Sequence, residues 1–268
     1  MTISICIPVF FGKNFEKCLN SIFSSTYSDF EIVVNDATRS PEVRDLLSKY
    51  DVRTITGNTR TLESRLLTVR HSTGETILLL DETRLVSSSL LGRIAGMPNK
   101  MIVVGESEMG GGILQKLTNL DKLASNLVEE GEISPLMNKS ILPRIYDRTI
   151  IQNSFDRIVS VLEPQVFSEI VGLDLELIYL EAWHQTKDIG FIRTSEIHHF
   201  GETSYKDLFK KYYRYGRSQK ILRKTPYADF ASLRGRTRHG LSGAERLTTV
   251  PIQLLRGFPF VLGYISGS

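Results

Sequence analysis

The segment Gly74-Glu75-Thr76-Ile77-Leu78-Leu79-Leu80-Asp81-Glu82-Thr83 constrains the fold more than any other, because an unbroken apolar run ends there in two adjacent carboxylates. A short continuous apolar run opened by a glycine reads as a strand buried on both faces. Two earlier segments have a related form. Ile3 to Val9 is an apolar opening strand, and Phe30 to Val34 ends at Asn35-Asp36. In open α/β sheets the ligand crevice lies beyond the carboxyl ends of the strands. Acids at two such ends predict one shared site there, suited to a base and a metal-bound phosphate.

The stretches between these strands carry helical spacing. Phe15, Cys18, Leu19, Ile22 and Phe23 follow i, i+3, i+4, i+7, i+8, with Gly12 breaking the chain before them and Asn14 placed to cap the helix. Helices are also predicted over 42–49 and 62–71, a short strand near 52–55 and another strand over 101–104. Such alternation predicts an α/β fold, a mostly parallel central sheet flanked by helices. After Gly110-Gly111-Gly112 the chain reads as helix over 113–130 and as irregular over 132–148. Beyond that come a helix over 171–185 and short strands at 189–192 and 196–197.

Composition places the chain among ordinary globular proteins: 268 residues, 41% hydrophobic and 24% charged, enough to bury a sizeable core. Cys6 and Cys18 both fall at apolar-pattern positions, so two buried thiols are expected, and with them a reducing, cytoplasmic setting. The chain opens directly on a strand without a basic-then-apolar leader, so no secretory signal is expected.

The net charge of +3 conceals an asymmetry. Residues 1–205 carry 20 Lys/Arg against 27 Asp/Glu, whereas residues 206–268 carry 13 against three. A basic C-terminal segment of this kind meets phosphate in nucleic acid, an anionic membrane or a phosphorylated ligand, or is simply a solvated face. Its first part, 205–223, reads as a helix in which Lys206, Lys210, Lys211, Arg214 and Arg217 alternate with Phe209, Tyr212, Tyr213 and Tyr215. Interleaved aromatic and basic residues also suit single-stranded nucleic acid, although no recognised nucleic-acid module is present. The tail over 247–265 is apolar but holds Pro251, Arg256 and Pro259, and its longest uncharged run is 12 residues. That falls short of the roughly 20 needed to span a bilayer. It is expected to lie against the core or in a membrane interface, at the inner face of the cell membrane.

Taken together, Ile5-Cys6-Ile7-Pro8-Val9, then Glu31-Ile32-Val33-Val34-Asn35-Asp36, then Gly74-Glu75 with its acid-tipped strand, resemble the family 2 glycosyltransferases of GT-A fold. Ser64-Arg65, nine residues before Gly74, stands where that family places an arginine, and the likeness runs over residues 3–223. The resemblance implies an inverting transfer from a UDP- or GDP-sugar to a hydroxyl or phosphate of a saccharide or lipid-linked acceptor. Residues 1–205 would form the nucleotide-sugar-binding and catalytic domain, and 206–268 a basic helical extension that docks on membrane.

By the same resemblance, Asp36 accepts a hydrogen bond from the base, Pro8 and Val9 line its pocket, and Arg65 packs near base or phosphate. Asp81 contacts the nucleotide and, with Glu82, places Mg²⁺ or Mn²⁺ on the diphosphate. The family pattern there is Asp-x-Asp, but Asp81-Glu82-Thr83 ends in threonine. Either one or two carboxylates suffice, or the metal is weakly held or absent and cationic side chains neutralise the diphosphate. In Gly172-Leu173-Asp174 the family's glutamate has become leucine, and Asp174 remains as the base that deprotonates the acceptor, with Glu181 two helical turns on as its support. One of His198 and His199 serves near the metal, His198 matching better; adjacent strand residues face opposite ways. Arg214 and Arg217, at i, i+3, clamp the departing diphosphate. The missing acids at Thr83 and Leu173 leave a catalytically weak nucleotide-sugar binder as one alternative, and a nucleic-acid-binding protein as another.

Overall fold

The computed structural model describes residues 1–125, 142–232 and 243–266. Four parallel strands build one half of an eight-stranded sheet: β1 (Ile3–Val9), β2 (Phe30–Asp36), β3 (Arg53–Thr56) and β4 (Thr76–Leu79). They lie in the order β3-β2-β1-β4, with helices α1 (Phe15–Phe23), α2 (Pro41–Leu47) and α3 (Thr61–His71) between them in the chain. The other half contains β5 (Arg84–Val86), β6 (Met101–Met109), β7 (Ile145–Asp147) and β8 (Ile189–Phe200). Here β7 runs antiparallel to both β4 and β6, β8 is parallel to β6, and β5 is antiparallel to β8. The expected central sheet is therefore present, with reversed strands confined to the half after β4.

Alternate residues of the inner strands feed two separate cores. Ile3, Ile5 and Ile7 join Phe15, Cys18, Leu19 and Ile22 of α1 on one face, together with Leu78 and Leu80. Cys6, Ile77 and Leu79 join Leu62, Leu66 and Val69 of α3 on the other. That two-sided burial is why the run from Ile77 to Leu80 is continuously apolar. Each such side chain contributes about 1.5–3 kcal/mol. Gly74 enters β4 where a Cβ would lie 2.6 Å from the Thr2 carbonyl oxygen, and its amide donates to Ser4 Oγ at 2.7 Å. Cys6 and Cys18 are free, buried thiols, and burial pushes the Cys6 pKa up to about 12.

The second core is closed by α6 (Arg148–Val161), α7 (Pro164–Glu169) and α8 (Asp174–Gln185), whose Ile151, Phe155, Phe167, Leu177 and Ile178 pack beside Tyr146. Two short elements went unpredicted within the first half of the chain: β5 and α4 (Leu90–Ala95). Helix α5 covers Ile113–Ser125; its expected continuation to Gly131, and most of the stretch read as irregular, lie outside the described residues. The two short strands expected after α8 are one strand, β8. Finally α9 (Tyr205–Leu222), α10 (Ala228–Ser232) and α11 (Gly243–Ser266) follow. Helices α9 and α11 cross closely, because side chains at Gly216 and Gly263 would collide with the Phe260 and Tyr213 carbonyl groups. Asn14 occupies the cap position of α1 but in left-handed conformation, with no side-chain bond to the helix.

Candidate active site

Strand register brings the acid tips together. Val9 at the end of β1 pairs with Asp36 at the end of β2, and Cys6 pairs with Leu79, so the chain after β4 carries Asp81 out beside β1. Pro8 and Val9, both buried, thus stand on the strand between Asp36 and Asp81. The buried Asp36 shapes the turn that follows: its Oδ1 accepts from Thr38 N at 2.9 Å and Thr38 Oγ1 at 2.6 Å. Oδ2 keeps no partner among the described residues. Behind it, Asn35 Oδ1 accepts from the hydroxyls of Thr59 and Ser64, both at 2.6 Å, which locks α3 against the tip of β2.

Arg65 projects from α3 into the centre of the site and is almost wholly buried. Its Nη2 donates to Asp81 Oδ1 at 2.5 Å and its Nε to Asp174 Oδ2 at 2.5 Å. One guanidinium therefore joins the acid after β4 to the acid that opens α8. Two more arginines crowd the same carboxylate: Arg84 bonds Asp81 Oδ2, and Arg144 Nη1 lies 3.5 Å from it. Both also reach Glu106 on β6. Burial, then Arg144, lowers the Arg84 pKa to about 10, which still leaves it charged at neutral pH. Burial would raise the Glu106 carboxyl, but Arg144, Arg84 and Lys122 outweigh it and hold that group well below the usual range.

Asp174 owes its place to an unusual turn. Gly172 has φ 84° and Leu173 φ 72°, both in the left-handed region, and Leu173 is the residue immediately before α8. Non-glycine residues held there cost roughly 1–3 kcal/mol and concentrate at functional sites. A side chain at Gly172 would collide with the Tyr215 ring of α9, so the turn is wedged against that helix. Ser218 Oγ exchanges hydrogen bonds with Val171 N and O, both at 3.0 Å, from the same side. Glu181 does not support Asp174; it accepts from the Tyr227 hydroxyl at 2.8 Å.

The side chains expected to hold a divalent ion are engaged elsewhere. Glu82 is buried and accepts from the amides of Phe10 (3.1 Å), Phe11 (3.1 Å) and Gly12 (2.7 Å), anchoring the loop after β1. Burial raises its pKa, with those amides pulling the other way. His198 Nδ1 lies 2.7 Å from Ser107 Oγ. Cross-strand pairing puts His199, not His198, on the face of Arg84 and Glu108. Its Nδ1 lies 3.0 Å from Glu108 Oε2, and burial, with the positive charges of Arg84 and Lys122, holds its pKa well below the ordinary value, so it is neutral at pH 7. Among the described residues no three His, Cys, Asp or Glu side chains stand together as a metal site. A divalent ion about 4 Å from an arginine is repelled by roughly 8 kcal/mol at an effective dielectric of 20, and Asp81 contacts three. As arranged, this donor set does not fit the ion.

Arg214 and Arg217 are exposed on α9 and are not joined to the Asp81–Arg65–Asp174 group. Arg214 Nε donates to the Lys210 carbonyl of its own helix at 3.3 Å. The face of α9 turned toward the site carries Lys211, Tyr215 and Ser218. Three of its aromatic residues have partners within the chain: Tyr215 lies on Gly172, Tyr213 is hydrogen-bonded to Ser266 and Tyr212 lies under Arg256, while Tyr205 is exposed. Sequence reasoning gave no role to Arg84, Arg144 and Glu106; of these only Arg84, next to Asp81-Glu82-Thr83, carried a signal in its position.

Residues 4–94, from β1 through α4, match the family model Glycosyl transferase family 2. That stretch contains Pro8, Val9, Asp36, Arg65 and Asp81. No match is found among curated proteins. Among solved structures, the chain is similar to S. aureus TarS 1–349, at 14% identity and a TM-score of 0.59, covering 98% of this chain and 81% of that one. TarS 1–349 in complex with UDP-GlcNAc gives 14% identity and 0.60, over 98% and 84%, and the complex with UDP gives 14% and 0.57, over 100% and 89%. The likeness is one of fold: GT-A, an α/β sheet flanked by helices.

Proposed function

We propose that this protein is a nucleotide-sugar glycosyltransferase that moves a sugar, with inversion, to a hydroxyl or phosphate acceptor. The observation that carries the reading is the bridge Asp81–Arg65–Asp174 at the carboxyl ends of the strands. It sets the acid beside the expected nucleotide pocket and the expected base on two arms of one buried cation. The family match over residues 4–94 and the UDP-GlcNAc complex of the structurally similar TarS support a nucleotide-sugar donor.

In this reading Pro8, Val9 and Asp36 receive the base, with Asp36 Oδ2 as the acceptor for an N–H edge. Arg65 holds Asp174 by Oδ2 and leaves Oδ1 to take the proton of the acceptor hydroxyl. As that oxygen bonds to the anomeric carbon, the bond from this carbon to the phosphate oxygen breaks, and its electron pair leaves with the nucleoside diphosphate. The growing negative charge on the diphosphate is met by Arg84 and Arg144. Guanidinium groups take the part that a divalent ion plays where the Asp-x-Asp pattern is complete.

A thermal-shift screen with uridine and guanosine nucleotides and their sugars tests the reading directly. A ligand that binds only the folded state raises its melting point. A rise of several degrees with UDP- or GDP-sugar, lost in Asp36→Ala, is the expected result. No shift with any nucleotide at millimolar concentration would overturn it.

A further inference from the structure

The last helix carries an apolar face that no other described residue covers. Leu247, Val250, Leu254, Phe258, Val261 and Ile265 recur every three or four residues along α11, which places them on one side of it. Their exposure runs from 41% at Val250 to 71% at Leu247. The opposite side is buried: Ile252, Arg256, Pro259 and Gly263 face α9 and α5, with Arg256 paired to Asp121. Packing against the described residues therefore accounts for one face of α11 and not for the other. Contiguous apolar surface of this kind marks a contact with a partner or a membrane.

Cations border the stripe. The Phe258 ring meets Phe209 of α9 at 6.4 Å, and Phe209 lies between the exposed Lys206 and Lys210. At the other end Lys220 Nζ donates to the Ile265 carbonyl at 3.1 Å, and Arg223 bonds the Tyr264 hydroxyl. Asp207 is the single acid of α9 against Lys206, Lys210, Lys211, Arg214, Arg217 and Lys220, and after Glu245 no acid occurs in α11. In a two-fold contact between copies these cations would oppose one another, whereas anionic headgroups complement them. An apolar stripe with a basic border is the pattern of a helix lying in a membrane interface.

We propose that α11 docks the protein on an anionic phospholipid surface, with the stripe from Leu247 to Ile265 immersed at the headgroup boundary and the cations of α9 against the phosphates. The helix lies in the plane of the interface. Among the described residues no helix is long and apolar enough to cross a membrane, and Pro251 and Pro259 each remove a backbone donor from α11. This inference does not depend on the transferase reading, and its test measures no transfer.

The full chain is sedimented with phosphatidylcholine vesicles and with vesicles containing phosphatidylglycerol, at low and at high salt. Binding to the anionic vesicles, weakening with salt, is expected. Leu254→Asp with Phe258→Asp should lower the partition coefficient by about tenfold or more, and Lys206→Glu with Lys210→Glu should remove the preference for anionic lipid. Unchanged circular dichroism shows that each variant is folded, and the lysine pair reads the proposal independently of the apolar one. Absence of the protein from the anionic pellet at low salt would overturn the proposal. So would a dimer in sedimentation equilibrium that Leu254→Asp dissociates while vesicles capture neither form.

Discussion

Arg65 Nε and Asp174 Oδ2 lie 2.5 Å apart across 109 residues of sequence, and the same guanidinium holds Asp81. The pair is buried, so its energetics follow from what removal of one partner leaves behind. Without that cation Asp174 would stay inside the protein unpaired, whereas Asp81 keeps Arg84 and Arg144.

Arg65→Ala is therefore expected to cost about 3–5 kcal/mol of stability, read by urea unfolding. Arg65→Lys keeps the charge but lacks the planar fork that reaches both acids, and should lose less stability while losing most transfer activity. A loss under about 1 kcal/mol for the alanine variant would show that the bridge does not hold the site together.

Glu82 anchors the loop after β1 rather than facing the diphosphate. Glu82→Gln keeps one oxygen for the amides of Phe10 and Phe11 but sets an NH2 against the Gly12 amide, and should cost about 1–3 kcal/mol. Transfer by the unaltered protein should survive a chelator within about twofold, since arginines carry the diphosphate charge. Activity abolished by chelation and restored by manganese would contradict the arginine reading.

The acid limb of stability reports on Glu106. Its folded pKa lies below the ordinary value of 4.5, so its stabilisation is complete above that value and is lost as pH falls toward the folded pKa. Glu82, whose carboxyl is raised, acts in the opposite sense. Glu106→Gln should thus be less stable than the parent at pH 7 and should show a flatter decline between about pH 5 and pH 3. Parallel declines in the two proteins would remove Glu106 from this account.

Much of the framework was legible in the sequence because it rests on local pattern. The strands over β1, β2 and β4 announced themselves by apolar runs and Asp36 and Asp81 by their places at strand ends, whereas Asp174 was named through the family resemblance alone. Strand β8 was read as two pieces because Arg193-Thr194-Ser195 is polar. Those residues lie at the register shift opposite Gly105, where a Cβ would touch the Thr194 carbonyl. Strands β5 and β7, three residues each, are too short for alternation to show. Arg144 and Glu106 were illegible for another reason. A charged residue reads as surface until a partner distant in sequence is brought to it, and theirs arrive only when β5, β6 and β7 close the sheet.

The left-handed turn before α8 makes a sharper test of positioning. Gly172→Ala adds a side chain at φ 84° against the Tyr215 ring and should cost about 1–3 kcal/mol. Because the turn sets the start of α8, the same change should lower kcat more than it raises KM for the donor. An unaltered kcat in a folded variant would detach the turn from the chemistry.

The most direct measurement is the turnover of Asp174→Asn with a donor identified by thermal shift. The proposed base predicts a fall in kcat of about 10²–10⁴-fold, with donor-induced stabilisation retained because Asp36 and the first strands are untouched. Near-normal turnover by the folded variant would show that another group takes the acceptor proton, and the assignment of Asp174 would fail.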